Sequence, residues 1–312
     1  MGNFSVLKSS LLALSCIVGM SAYPAIAGDR LLGTGGVSQI EGAGGGGLTP
    51  WAMIAGYGTD AQIGGSAFYT HAKTRDDFEL NTGGIAVGFY NRRELSVSQT
   101  KFELGNTVAK ESIRLNTLGI KLRLFGDAIY DQDSWVPQVS AGALIKHNED
   151  FDFVPKLVGA KDGTGVDYYL AASKLYLDAV FGRNVLLGAT LIATKANQFG
   201  LLGFGGARED NYTPQLELSA AYLVNKKLAI GAEYRMKPNN LRSPANAALF
   251  SGQNVVDLKE EDAFDLFVAY APTKNVALTL AYVNLGNIAT VAPVGANYGN
   301  QEGVYVSAQF GF

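Results

Sequence analysis

EGVYVSAQFGF, residues 302–312, decides the fold. Val304, Val306, Ala308, Phe310 and Phe312 fall on one side of an extended chain; Gly303, Tyr305, Ser307, Gln309 and Gly311 fall on the other. A period of two marks a strand with one apolar face. Chain ends usually fray, so alternation carried through to an aromatic at 312 reads as a segment built to be held.

The pattern recurs upstream. Val276, Leu278, Leu280 and Tyr282 share a face, as do Phe264, Leu266, Val268 and Tyr270. So do Leu228, Ile230, Ala232 and Tyr234, and Leu216, Leu218, Ala220 and Tyr222. Opposite them stand charges: Asp265, Glu233, Arg235 and Glu217. A bilayer excludes such charges but a wet lumen accepts them. Short connections (182–184, 225–227, 272–275) alternate with long polar ones (148–165, 198–211, 238–262, 286–301). Short turns on one side and long loops on the other characterise outer-membrane barrels, whereas a sandwich with Greek-key links has no reason for them.

Further strands are expected near 34–41, 49–58, 61–71, 79–90, 94–104, 113–125, 135–147, 166–181 and 185–197. The expected fold is therefore an all-β, transmembrane, antiparallel up-and-down β-barrel of about fourteen strands, or about twelve if the Gly-rich start is unpaired. Phe89, Tyr90, Phe125, Trp135, Phe181, Tyr222, Tyr270, Phe310 and Phe312 cluster at the short-turn ends as an expected interfacial girdle. Phe310 and Phe312 also resemble the C-terminal signal read by the barrel-assembly machinery.

Composition agrees. Of 312 residues, 47% are hydrophobic, and net charge is −3, which argues against nucleic-acid binding. No stretch beyond the first thirty residues or so approaches the roughly 18 apolar residues of a spanning helix. Residues 1–27 read as a signal peptide: Lys8, an apolar run from Leu11 to Met20, and Ala25-Ile26-Ala27 before the cut. The barrel would occupy 28–312. The sole cysteine, Cys16, lies in that leader, so no disulfide or Cys metal site is expected downstream.

The segment GDRLLGTGGVSQIEGAGGGGLTPWAMIAGYGT (28–59), continued by IGGSAFYT (63–70), resembles the opening of an uncharacterised family of proteobacterial outer-membrane proteins of unknown function. The resemblance implies an outer-membrane β-barrel and no particular activity.

Chemical motifs are sparse. Gly42, Gly44 and Gly47 satisfy G-x-G-x-x-G, but no helix pattern follows, so a flexible loop or a close backbone approach is the better reading. His71 and His147 lie at loop-side strand ends; a rim hydrolase would need them to converge with Ser and Asp, and no G-x-S-x-G accompanies them. Acidic clusters at 147–152, 208–210 and 259–262 offer hard oxygen ligands for Ca²⁺ or for divalent bridges to lipopolysaccharide, though solvated loops explain them as well. The candidates for lining the lumen are Lys121, Arg123, Lys146, Lys174, Asp178, Glu217, Glu233, Arg235 and Asp265. They suit either a packed interior or a conduit, and twelve to fourteen strands is intermediate between filled and open barrels. The expected function is an outer-membrane channel or transporter for small solutes, porin-like and without catalysis or cofactor. The alternatives are a structural or surface-interaction barrel and a membrane-embedded hydrolase. Expected partners are outer-membrane lipids, lipopolysaccharide, the assembly machinery and a small solute. The apolar middle of 238–262, Ala247, Ala248, Leu249 and Phe250, suggests a loop narrowing the mouth.

Overall fold

The computed structural model describes residues 37–105, 112–241, 256–287, 290–291, 296–297 and 299–312. Twelve antiparallel strands close into a barrel. They are β1 (Ile63–Thr74), β2 (Glu79–Phe89), β3 (Arg93–Glu103), β4 (Ser112–Phe125), β5 (Gln138–Asn148), β6 (Thr164–Val180), β7 (Arg183–Thr194), β8 (Thr213–Asn225), β9 (Leu228–Arg235), β10 (Ala263–Tyr270), β11 (Val276–Asn284) and β12 (Glu302–Gly311). Each strand pairs with its sequence neighbours, and β1 pairs with β12 from Ser66 opposite Gly311 to Thr74 opposite Gly303. Three two-residue strands at 256–257, 290–291 and 296–297 form a separate small sheet.

Alternation sorts the residues. Leu216, Leu218, Phe264, Leu266, Val268, Leu278, Leu280, Val304 and Val306 are exposed on the outer face. Their neighbours Glu217, Asp265, Ala281 and Tyr305 are buried inside. Water would not tolerate so continuous an apolar exterior; a bilayer suits it. At the short-turn ends Tyr90, Phe125, Trp135, Phe181, Tyr270, Phe310 and Phe312 are exposed, as expected of a girdle, while Phe89 and Tyr222 are half-buried. Tyr168 and Tyr212, 5.9 Å apart, and Phe264 and Tyr282, 6.1 Å apart, belong to a second aromatic band towards the loop ends.

Two expectations need correction. The described part of the stretch near 34–41, and the stretch near 49–58, are not barrel strands: residues 37–58 lie folded inside the barrel, so the twelve-strand alternative holds. The alternation of connection lengths also has an exception at each end: 75–78 is short on the loop side, and 126–137 is long on the turn side. The 126–137 segment folds onto β6, where Leu175 N donates to Ala128 O (2.7 Å).

The seam is closed by Phe312. Its N–H donates to Gly65 O (2.9 Å), and its carbonyl accepts from Gly65 N (2.9 Å) and Tyr57 N (3.0 Å). One residue therefore finishes the β1–β12 ladder and ties down the exit of the inner segment. Deleting Phe312 is expected to lower the yield of assembled, heat-modifiable barrel while leaving export intact. Equal yields on unheated gels would remove this role.

Candidate functional site

The lumen is occupied by the chain's own residues 37–58, hereafter the plug. Trp51, Ala52, Met53, Ile54, Ala55 and Tyr57 are all buried, with no alternation, because wall surrounds them on every side. Its turns hold themselves together: Ile40 N donates to Gly47 O (3.0 Å), Gly45 N to Val37 O (2.9 Å) and Trp51 N to Gly44 O (3.1 Å).

Charged wall residues grip this backbone. Glu94 on β3 accepts from Gly44 N (2.9 Å) and Ala55 N (2.8 Å). Lys121 on β4 donates to Gly44 O (2.7 Å) and Met53 O (3.0 Å) and pairs with Glu94 (3.2 Å). Glu233 on β9 accepts from Leu48 N (2.7 Å), Thr49 Oγ1 (2.6 Å) and Trp51 Nε1 (3.2 Å). Gln138 (2.6 Å) and Ser140 (2.5 Å) donate to Ala52 O, and Thr190 donates to Pro50 O (2.8 Å). Buried backbone must find partners; here inward-facing side chains supply them where a strand ladder would otherwise do so.

The glycine run now has its reason. A Cβ on Gly46 would lie 1.8 Å from Glu233 Oε1, and one on Gly47 would lie 2.0 Å from the Tyr305 hydroxyl. G-x-G-x-x-G is here the close backbone approach: of its glycines Gly44 meets the Glu94 carboxylate, Gly47 the Tyr305 hydroxyl and Gly42 the Ser98 side chain, all on the wall. Gly46→Val should unseat the plug. In a Trp135→Phe background, Trp51, now 6% exposed, should red-shift and become open to acrylamide. An unchanged spectrum would show that the plug needs no such contact.

Three parts of the chain meet at one point. Glu41 of the plug receives the Lys146 ammonium of β5 and the Arg235 guanidinium of β9 (2.6 Å). Lys146 also pairs with Asp167 of β6 (2.5 Å), and Arg235 with Glu217 of β8 (2.9 Å). Lys146 donates further to Phe199 O (3.1 Å), and Arg235 lies 4.5 Å from the Phe199 ring centroid. Phe199 belongs to a loop descending from the far end, so plug, wall and loop share these two cations. Burial alone would raise the Glu41 carboxyl, but Arg235 and Lys146 outweigh that and hold it at about 2.

Above this point the mouth is capped. Phe78 stacks on Phe102 (5.5 Å), and Leu201, Leu202, Phe204, Leu241 and Leu258 complete a buried apolar cluster. Glu260 accepts from Gln198 N (3.0 Å), and Lys237 donates to Gln198 Oε1 (3.0 Å). Burial pushes the Glu260 carboxyl up, to about 7, against the pull of Lys237. The expected constriction by Ala247–Phe250 lies outside the described residues.

Of the nine lumen candidates, six (Lys121, Lys146, Glu217, Glu233, Arg235 and Asp265) are buried inside. Asp265 accepts from the Tyr305 hydroxyl (2.7 Å). Arg123 shares their face but sits at the turn end, where it donates to Gly126 O (2.9 Å) and pairs with Asp127 (3.0 Å). Lys174 and Asp178 are corrected. Lys174 has the parity of exposed Tyr168 and Leu170, hence the outward side, and the 126–137 segment covers it, with Asp127 O 3.3 Å away. Asp178 is exposed at a register break between Tyr176 and Val180. Glu41, Glu94 and Asp167 were missed.

The histidines do not converge. His71 Nδ1 contacts Asn81 (2.8 Å) on β1–β2, and His147 Nδ1 contacts Thr164 (2.9 Å) on β5–β6, both on the outward parity. The acidic loops are met from within: Arg114 forks onto Asp150 (3.1 and 3.0 Å), and Lys161 and Lys195 each reach Asp210 (3.2 Å). Among the described residues no group of three His, Cys, Asp or Glu is placed to hold a metal.

Comparison with known proteins places the chain as follows. A family profile described as "Protein of unknown function (DUF3034)" matches residues 34–309. A comparison with curated proteins finds no match. Similar solved structures include the NanC porin (11% identity, 78% of this chain and 98% of that one, TM-score 0.48). An outer-membrane channel from Pseudomonas putida F1 is also similar (15%, 85% and 96%, 0.41), as is outer membrane phospholipase A from Escherichia coli (12%, 79% and 95%, 0.36). At these values neither activity nor substrate passes to this chain.

Proposed function

The chain belongs to the DUF3034 family of proteins of unknown function, and we propose that it is an outer-membrane β-barrel acting as a channel for small solutes, closed at rest by its own plug. The observation that carries this reading is the wall beneath the plug. Inward positions are held largely by small residues, among them Gly84, Ala86, Ser98, Ser140, Ala171 and Ser219. A barrel meant to be solid fills its interior from the wall; this wall leaves room that the separate segment takes up. The plug is held by hydrogen bonds and ion pairs, which water can replace when it leaves, and by the apolar cluster that Leu48, Trp51 and Met53 form with Leu175, Leu186 and Phe267. The exposed apolar belt, the two aromatic bands and the expected signal peptide support the outer membrane as the location, with lipopolysaccharide and membrane lipids as neighbours.

A second reading is a structural barrel whose plug never moves; the buried grip of Lys146 and Arg235 on Glu41 favours it. Tethering separates the two. Ser38 Oγ lies 3.3 Å from Ser66 Oγ on β1, so cysteines at both positions should cross-link plug to wall. The channel reading expects single-channel openings in planar bilayers under reducing conditions and their loss on oxidation. Openings that survive the cross-link would exclude plug movement as the gate. Assembled barrels silent in both states would favour the structural reading.

A further inference from the structure

The aromatic band at the loop ends has a gap. Tyr168 on β6, Tyr234 on β9, Phe264 on β10, Tyr282 on β11 and Tyr69 on β1 are all exposed there. From Tyr69 the register runs on through Gly83, Gln99, Asn116 and His147 on β2–β5, with no Phe, Tyr or Trp among them. Row by row, these four strands change character on their outer face. One row towards the turns stand Ile85, Val97, Leu118 and Ile145; one row towards the loops stand Asn81, Lys101 and Arg114. The amide row thus lies between hydrocarbon and charge. Together with the apolar row it lines a groove with about 700 Å³ of accessible space, open along the outside of the wall. Gly83 gives the groove its depth, since a Cβ there would meet nothing nearer than 3.6 Å. Gln99 Nε2 donates to Asn116 Oδ1 (2.9 Å), and Asn116 Nδ2 to Glu149 Oε1 (2.6 Å). Gln99 Oε1 and the second ring nitrogen of His147 have no partner among the described residues. Lys101 commits one of its three N–H groups to Glu103 (2.7 Å), whereas Arg114 is forked onto Asp150.

We propose that this groove binds the lipid A end of lipopolysaccharide, with an acyl chain on Ile85, Val97, Leu118 and Ile145, the glucosamine disaccharide on Gln99, Asn116 and His147, and a phosphate at Lys101. The order of the rows selects that ligand. A phospholipid joins phosphate to acyl chains through glycerol alone and would set its phosphate against carboxamides. Lys101 stands two residues further out than Gln99, about 7 Å along the strand, and in lipid A a sugar fills that interval. Sugar hydroxyls and amides match a neutral row that both donates and accepts. Four strands span about 14 Å across the row, room for a disaccharide, and the open side of the groove leaves the other acyl chains in the bilayer. The loop end is also the outer-leaflet end of an outer-membrane barrel. The site rests on that location but not on conduction, so it stands or falls separately from the channel.

The test is native mass spectrometry of the assembled barrel released from detergent, while membrane fractionation checks the location separately. Titration with purified lipid A should give one saturable adduct, and phosphatidylethanolamine at the same concentrations should not displace it. Filling the groove with Gly83→Trp or, independently, Val97→Trp should weaken lipid A binding by about tenfold or more. Gln99→Leu with Asn116→Leu should weaken it several-fold. Leu280→Trp, outward on β11, should leave it unchanged. Gel mobility before and after heating identifies variants that still assemble. Absence of a saturable adduct, or binding unaffected in both assembled filled variants, would overturn the proposal. Displacement by phosphatidylethanolamine would assign the groove to ordinary bilayer lipid, and equal weakening by Leu280→Trp would show adhesion without a site; either result overturns it too.

Discussion

Deleting residues 37–58 should turn a mostly silent barrel into an open pore, raising mean conductance in planar bilayers by about tenfold or more, as expected when a barrel of this strand number loses its filling. The deletion removes no strand, and every wall carboxylate it uncovers gains water where it loses a plug donor. Glu94 keeps Lys121 at 3.2 Å, and Arg235 keeps Glu217 at 2.9 Å. The barrel should therefore remain heat-modifiable. The emptied lumen would expose Glu94, Asp167, Glu217, Glu233 and Asp265 against Lys121, Lys146 and Arg235, five carboxylates to three cations. An excess of carboxylates favours cations, so the reversal potential in a salt gradient should shift accordingly. An assembled deletion protein that stays silent would move the barrier to the apolar cap around Phe102, Leu202 and Phe204.

What the sequence disclosed follows from what alternation can encode. In β8, β10, β11 and β12 one face meets lipid and the other meets polar or small neighbours, so period two is written plainly from Leu216 to Tyr222 and from Val304 to Phe310. In β6 the run Ala171-Ala172-Ser173 carries small residues on both faces. Parity cannot be read across it, so Lys174 was assigned to the wrong side, while Asp178 lies farther on, at the register break between Tyr176 and Val180. Residues 49–58 are apolar and of strand length, so they read as a strand. They are buried on all sides because wall encloses them, and one sequence cannot show whether an apolar run meets lipid or lumen. The glycines from Gly42 to Gly47 held the clue. They required something close to the backbone, and the inward carboxylates of β3 and β9 lacked partners. Glu94 was readable as inward from its parity with Ser96 and Ser98; Glu41 was not, since its place depends on two strands, β5 and β9, brought together only by closure.

Glu41→Ala should release the plug while leaving the barrel assembled, because the wall cations it abandons keep partners of their own. Lys146 retains Asp167, and Arg235 retains Glu217. The plug, by contrast, loses its only described ion pairs to the wall. Losing the charge-assisted hydrogen bonds to two cations that stay paired costs about 1.5–3 kcal/mol. Here that cost falls on docking, shifting the undocked population by roughly 10–10² at about 1.4 kcal/mol per factor of ten. Acid should act in the same direction on the unmutated chain. The carboxyl is held at about 2 when docked, against an ordinary value of 4.5. Its contribution to docking is thus complete above about 4.5 and is lost as pH falls towards 2. In a Trp135→Phe background, Glu41→Ala at neutral pH should give Trp51 an accessible, red-shifted emission together with channel openings, and the oxidised Ser38–Ser66 cross-link should suppress both. A variant with native Trp51 emission and native conductance would show that the backbone contacts to Glu94, Lys121 and Glu233 hold the plug without Glu41.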